Sequence, residues 1–503
     1  LWPDTLTIGA TLLEQLISKA GGNPFYLEEM VNYLHDQYIQ LDDEKALAEL
    51  NIPDSLHNLI ISRIDQLPEA TKTTLKVASV IGRVFPESWI WGSYAQAGTP
   101  AQIRQQLDDL RRLDLTPLYQ EETEEATYIF KHITTQEVAY ESLAFATRAV
   151  LHEQVGRFIE QAHGENLTQY IDILAHHYGR SPNSDKQRYY FRQAGEIAQK
   201  AYANQASINY YQRLLPLLPD AEQAPVYYAL AQVRQLIGEW PAAESLYRKA
   251  LKIAQETEQM AMAADAALAL GGLLFLSNPE AGQESLDWLQ QARQQFEQLN
   301  DQQGIGRVLE RLSFIYSQQG SYEQALNYAN QQLHIAHQHN DPIGISGALN
   351  FIGVIYSLQG NFAQAETTLK EAIDLAQDAG HKRGIVLASN DLAGVYYLIG
   401  NYHQSLVYLQ RSQTISQEVG DEEGSEISIG NAGLLYHHLG QEEDAISCFL
   451  QALAIAITVS DWAGITTLLG NLGDVLNQSR QPDLAGGRGT GRHQLRNCPI
   501  NAI

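Results

Sequence analysis

Between Gly304 and Arg480, small and apolar positions recur every forty residues. Gly304, Gly344, Gly384, Gly424 and Gly464 keep that step, and so do Gly320, Gly360, Gly400 and Gly440. Tyr316, Tyr356, Tyr396 and Tyr436 precede the second glycine by four residues, Tyr322, Phe362 and Tyr402 follow it by two, and Ala325, Ala365, Ser405 and Ala445 by five. Each period reads as helix, glycine turn, helix. Over residues 348–376, Gly353, Ala365 and Ala372 let two helices approach closely, while Tyr356 and Phe362 fill the wedge between neighbouring pairs. The tyrosine ladder is thus expected to be core and not a ligand stripe. A fixed period of this size predicts a solenoid of stacked helical pairs, none of which can bury its apolar face alone.

Towards the N-terminus the pattern weakens and then changes. Residues 184–218 read as a first, imperfect pair with Ala194, Ala198, Ala201 and Ala206 at the contacts; the next has Gly238 and Ala243 at its turn. In the pair over 263–300, Glu280 replaces the turn glycine, and Asn278-Pro279 are expected to make the turn. Near the start, Leu12, Leu13, Leu16 and Ile17 share one helical face, Gly21-Gly22 stop it, and Asn23-Pro24 open a helix with Glu28 and Glu29 in its first turn. An acidic connector, residues 42–50, leads to a helix that Pro68 ends. Residues 70–150 read as a buried helix, a short aromatic helix after Phe85-Pro86 and a charged helix, followed by two strand-like runs, LTPLY and ATYIF. Three helices and a two-stranded wing is the winged-helix order. Further helices are expected at 134–143, 148–163 and 170–178.

The unit from Ala348 to Ala376 resembles a tetratricopeptide repeat with longer helices than the usual thirty-four-residue form, and the likeness covers about 186–480. The phrases GNPFYLEEMVNYL, IPDSLHNLIISRIDQL, VASVIGRVF, YIFKHITTQEVAYESL and LAHHY resemble, in the same order, the C-terminal half of bacterial signal-transduction ATPases of the STAND type. The nearest subgroup is the one that follows an adenylate or guanylate cyclase domain. The resemblance implies a mainly all-α chain: a helical lid (1–68), a winged-helix-like module (69–150), a helical linker (151–183), a tetratricopeptide solenoid (184–480) and an irregular tail (481–503). It also implies that Pro24 matches the lid proline that packs near adenine, and that His132 stands where related switches place a histidine near the phosphates of ATP or ADP. On the residues alone, Pro24 is equally a helix start and His132 a structural hydrogen-bonding residue. No G-x-x-x-x-G-K-[ST] loop, no strand ending in paired acids and no cyclase segment occurs in this sequence. The chain as given is therefore expected to be non-catalytic and without a cofactor of its own. It begins at Leu1, close to a helical pattern, as expected of a fragment of something longer. The function implied is a regulatory and sensor portion of a multidomain ATPase; the alternative is a free-standing scaffold for protein–protein interaction.

Charge narrows the partners. Lys and Arg number 33 against 59 Asp and Glu, a net charge of −26, which argues against phosphate backbones and anionic membranes. The arginines of the charged helix, Arg104, Arg111 and Arg112, are expected to be countered by Asp108, Asp109 and Asp114. Two cysteines, Cys448 and Cys498, make no disulfide framework or zinc site. With no run of eighteen apolar residues and no secretory leader, a cytoplasmic protein is expected. His176-His177, His437-His438 and the set His334, His337, His339 lack the spacing of a metalloprotease helix, so no metal site is expected.

The positions that project into a solenoid groove are the first helix's Asn350, Val354, Ser357 and Leu358 in one unit and Asn390, Gly394, Tyr397 and Leu398 in the next. A protein or peptide partner is expected there, because each Asn amide offers a donor and an acceptor to a peptide backbone; solvated side chains are the other reading. The last unit loses register after Ala485 in a basic, glycine-rich tail, which leaves its first helix half covered. Fraying beyond about residue 478 follows, seen as low hydrogen-exchange protection; protection equal to the central repeats would refute it.

Overall fold

The computed structural model describes residues 16–36, 55–121, 125–277, 282–459 and 461–479. The acidic connector, the tip of the wing, the Asn278-Pro279 turn and the tail after Ala485 lie outside these. The chain divides into two compact units, one ending at Glu196 and one beginning at Ile197.

In the first unit, Gly21 and Gly22 (φ +55° and +84°) turn the chain into α1 (Pro24–Asp36). Asn23 caps that helix, its Oδ1 accepting from the backbone N–H of Phe25 at 3.0 Å and of Tyr26 at 3.3 Å. Helix α2 (Leu56–Asp65) is capped in the same way by Ser55. A buried ion pair joins the two, Arg63 to Glu29 at 2.5 Å, and the same guanidinium donates to the Leu113 carbonyl at 2.8 Å. Two buried charges satisfied in this way fix the register of three segments more than they add stability.

Helix α3 (Glu69–Ile81), strand β1 (Val84–Pro86), α4 (Glu87–Ser93) and α5 (Pro100–Arg112) precede β2 (Leu118–Glu121) and β3 (Ala126–Ile129). The expected wing is β2 with β3, and the sheet has a third member: β1 pairs antiparallel with β3, giving the order β1-β3-β2. Three residues ending in proline show no alternation that could announce a strand. What holds them is tertiary, since Phe85 is buried between Tyr128 and Phe130, with ring centroids 6.1 and 5.6 Å away. Proline is tolerated on such an edge because it owes no ladder hydrogen bond. The charged helix is neutralised somewhat differently from expectation. Arg111 and Arg112 pair with Asp108 and Asp109 at 3.2 and 3.3 Å, but Arg104 pairs with Glu87 at 2.8 Å and Asp114 takes Lys131.

Helices α6 (Ile133–Glu141), α7 (Phe145–Ala162) and α8 (Ile171–Tyr178) follow, and α9 (Ser184–Lys200) starts in this unit. Glu160 of α7 receives the Tyr178 hydroxyl at 2.9 Å, Lys186 at 2.6 Å and Tyr190, while the two tyrosine rings stack at 5.2 Å. Buried beside them, His152 and His177 share a hydrogen bond between their Nδ1 atoms at 2.9 Å, and the Tyr140 hydroxyl lies 3.0 Å from His152 Nε2.

The second unit is a solenoid. After α10 (Asn204–Leu214) come the pairs α11 (Asp220–Leu236) with α12 (Trp240–Glu256), α13 (Met260–Ser277) with α14 (Gly282–Leu299), α15 (Gln302–Gln318) with α16 (Tyr322–Gln338), and α17 (Pro342–Leu358) with α18 (Phe362–Asp378). Then α19 (Lys382–Leu398) pairs with α20 (Tyr402–Val419), α21 (Glu422–His438) with α22 (Glu442–Val459), and α23 (Trp462–Ser479) closes the described array. Each helix packs on the next, and the first helices of successive pairs also touch one another, so they form the inner row.

Both glycine ladders have a physical cause. Gly320, Gly360, Gly400 and Gly440 sit at φ +73° to +79°, where a side chain is strained, and the next N–H returns to the carbonyl of Tyr316, Tyr356, Tyr396 or Tyr436. The other ladder stands at helix starts. Asp301, Asp341, Asp421 and Asp461 cap these helices by accepting from the N–H of Gly304, Gly344, Gly424 and Gly464 at 2.9–3.1 Å. A Cβ at Gly304 would lie 2.3 Å from the Phe296 ring. At the third turn of the series His381 replaces the aspartate, and its side chain caps nothing. Within a pair, a Cβ at Gly353 would fall 2.6 Å from Leu369. The tyrosine ladder packs between helices: Tyr316 stacks on Tyr328 and Tyr396 on Tyr408, with centroids 5.4 and 5.6 Å apart. Helix α13 is long and apolar enough to cross a bilayer, but half of that span is buried against α12 and α14.

The histidine pair makes the first unit acid-sensitive. Burial above all, then His176, Arg180 and Arg148, lowers His152 to about 3, and burial, then His152, His176 and Arg180, lowers His177 well below the ordinary value. A depressed histidine favours folding fully above the unfolded value of about 6.5 and progressively less as pH falls toward the folded one. From pH 7 to 5 the loss at His152 is about 2 kcal/mol. Thermal melts should show this drop in the wild type and a smaller one in His152→Phe; equal drops would remove the pair as its source.

Candidate functional site

Two places gather the residues singled out from sequence. In the first unit, Pro24 is the exposed first residue of α1, and Phe25, 52% exposed, sets its ring edge-on to His132 with centroids 4.8 Å apart. Glu28, one turn on, accepts from Lys131 at 2.5 Å and stands 3.4 Å from His132 Nε2. The fold thus brings Pro24 and His132 to one patch from more than a hundred residues apart. Burial works against the Glu28 carboxylate, but Lys131 and His132 outweigh it and hold its pKa below the usual range. Burial likewise opposes the charge of Lys131, and Asp114 with Glu28 raise it.

The second place is the inner row of the solenoid. Asn350 donates through Nδ2 to Asp391 Oδ2 at 2.8 Å, from α17 across to α19. An ionised carboxylate accepts only, so the amide must present its nitrogen to Asp391, and Asn350 Oδ1 is left without a partner. Asn390, at the same place in the next unit, is only 4% exposed, and neither its Oδ1 nor its Nδ2 is bonded. Gly347 and Gly394, one turn from the two asparagines, face open space: a Cβ at either meets nothing within 4 Å. Val354 is half-buried, Ser357 is buried at 7% exposure, and Tyr397 is half-buried with its ring 5.9 Å from Tyr402 and 5.5 Å from His438. The asparagines and glycines therefore offer more to a ligand than Ser357 does.

Asp391 was not among the residues expected to matter. Its signal was available, a lone acid in the middle of the apolar run IVLASNDLAGV. Burial pushes its carboxyl up to about 6, against the Asn350 hydrogen bond, and among the described residues no basic side chain pairs with it. The row differs towards its N-terminal end. There Arg307 pairs with Asp265 at 2.9 Å, and Glu310, raised by burial, is opposed by Arg311, Gln332 and Arg307. Further along, burial and then Asp461 raise Glu426 to about 8.

The histidine sets serve structure. His438 Nε2 bonds the Tyr402 hydroxyl at 2.7 Å, His334 bonds Gln338 at 2.9 Å, and among the described residues no group of three His, Cys, Asp or Glu could hold a metal ion. A shallow hollow on α16, lined by Asn327, Asn330, Gln331, His334 and Ile335, contains none of the inner-row residues.

Models of the tetratricopeptide repeat match residues 226–261, 344–418 and 428–456. The helical pairs of this solenoid are tetratricopeptide-like repeats. No curated protein sequence matches the chain. Among solved structures, a signal transduction ATPase with numerous domains and a tetratricopeptide repeat sensor, from Pyrococcus horikoshii, is 17% identical with a TM-score of 0.43, over 94% of this chain and 70% of its own. Aspartyl phosphate phosphatase F from Bacillus subtilis is 14% identical with a TM-score of 0.42, over 89% of this chain and 95% of its own. The apo quorum sensor NprR from B. thuringiensis is 14% identical with a TM-score of 0.44, over 71% and 99%.

Because Asp391 has a folded-state value above that of an unfolded aspartate, its charge weakens the fold above about pH 6 and has no such effect below about pH 4. Asp391→Asn should stabilise the chain by about 1–3 kcal/mol at pH 8 and by nothing measurable near pH 4. Melts at the two pH values check this, and destabilisation at pH 8 would contradict it.

Proposed function

We propose that this chain is the non-catalytic sensor and regulatory part of a multidomain signal-transduction ATPase of the cytoplasm. Its repeat solenoid binds a protein or peptide and thereby controls a nucleotide-binding core. The observation that carries the binding half is the row Asn350, Asp391, Asn390, where buried amide atoms are left unbonded beside open space at Gly347 and Gly394. Unsatisfied buried amides cost about 1–3 kcal/mol each, and an extended peptide backbone supplies the donors and acceptors they lack. Binding there gives the solenoid a differential affinity for one state of the protein, which is what shifts a conformational equilibrium.

The ATPase half rests on the five phrases that resemble the STAND type in order; the cyclase-linked subgroup is the finer form of that proposal. The lid patch fits a nucleotide poorly as it stands. Phe25 exposes an aromatic face beside Pro24, but His132 Nε2 is covered and faces the Glu28 carboxylate, and Lys131 is held by two acids. No phosphate contact is assigned to them, and no hydrolytic step is drawn through this chain.

Sequencing the gene upstream of Leu1 tests the ATPase half: an in-frame G-x-x-x-x-G-K-[ST] is expected, and a start codon close by would overturn it. Calorimetry with ATP on the chain alone adds a second check. Affinity in the micromolar range would contradict a core that lies elsewhere.

A further inference from the structure

We infer that the inner row at α17 and α19 is a cation-accepting subsite, built to take the arginine or lysine side chain of an extended basic peptide against Asp391. The inference rests on the peptide-groove reading above and adds the chemistry of the occupant.

The donor and acceptor inventory leads there. Asn350 gives an N–H to Asp391 and keeps its buried Oδ1 unbonded. Asp391 keeps its second oxygen, since among the described residues the one hydrogen bond at its carboxylate is that to Oδ2. Asn390 holds a further free carbonyl oxygen on a side chain 4% exposed. Asn350 Oδ1 and the second Asp391 oxygen thus lie at one contact between two touching helices, and Asn390 adds an unbonded amide on the adjacent residue. A group rich in donors and lacking acceptors satisfies them together, which describes a guanidinium, with five N–H donors, or an ammonium, with three.

Charge points the same way. Two inner-row acids towards the N-terminal end have a basic neighbour inside the chain, Asp265 with Arg307 and Glu310 with Arg311, while Glu426 further along faces other acids. Asp391 has only an amide, so its counter-charge must come from outside or be absent. Gly347 and Gly394 provide the space, one turn from Asn350 and three residues from Asp391 respectively, with no atom within 4 Å of where a Cβ would stand. The net charge of −26 draws a basic peptide towards the chain before contact.

Display of random heptapeptides on phage against the whole chain tests this, followed by fluorescence polarisation of the selected peptides. Peptides sharing a basic residue at one position are expected. Asp391→Asn, or citrulline in place of the peptide arginine, should weaken binding about tenfold or more, the scale of one charge-assisted hydrogen bond. Asn390→Ser, which keeps the carboxylate, should weaken it less. Thermal melts confirm that each variant is folded. Gly394→Leu fills the slot and should abolish binding. Peptides lost in Gly394→Leu but indifferent to Asp391→Asn would overturn the cation subsite and leave the groove standing. Peptides indifferent to Gly394→Leu, or no selected peptides at all, would overturn the groove and the subsite with it.

Discussion

Everything in the solenoid depends on how closely two helices of a pair can approach. At Gly353 and Gly433 a single added carbon would sit 2.6 Å from Leu369 and 2.8 Å from Phe449. The spacing is therefore set by backbone against side chain, and side chain against side chain comes second. Within such pairs Tyr316 and Tyr396 stack on Tyr328 and Tyr408 of the partner helix. The left-handed turns at Gly320, Gly360, Gly400 and Gly440 make the tight reversal possible, and the capped starts at Asp301, Asp341, Asp421 and Asp461 return the chain to the inner row. Small residues, tight turns and caps support one another, as expected of a sequence consistent at every level.

Against that background the polar inner row stands out. Several buried hydroxyls in the repeats find carbonyls: Ser285 bonds Gly271, Ser313 bonds Ala325 and Ser405 bonds Ala393, whereas Ser416 bonds none. The α17–α19 stretch instead keeps amide atoms and a carboxylate incompletely paired, although the same helices show that local pairing is easy. Unpaired buried groups call for an explanation, and these stand beside the open space at Gly347 and Gly394.

The helical pairs, their glycine turns and the aromatic ladder were legible because they repeat, and periodic contacts leave a periodic trace. Contacts between distant residues left none. Val84-Phe85-Pro86 became a strand through β3, and nothing in three residues announces that. The buried Arg63–Glu29 pair, the His152–His177 bond and the meeting of Phe25 with His132 each join segments by folding alone. The capping aspartates were in plain view at the forty-residue step, three positions before the glycines, but a glycine ladder attracts attention to turns and away from helix starts. Asp391 was masked by the asparagine before it, which fits the groove pattern better on its own.

One irregularity in that capping series bears on how the array bends. His381 stands where the other turns have aspartate; its Nδ1 is unbonded and α19 begins without a side-chain cap. A missing cap of this kind is worth about 1 kcal/mol. In a stack where each unit holds only its neighbours, that loss is local to the joint between α18 and α19. The Asn350–Asp391 bond spans the same joint, from the helix before α18 to the one after it. A molecule seated on both residues would therefore act as a splint across the joint whose aspartate cap is missing.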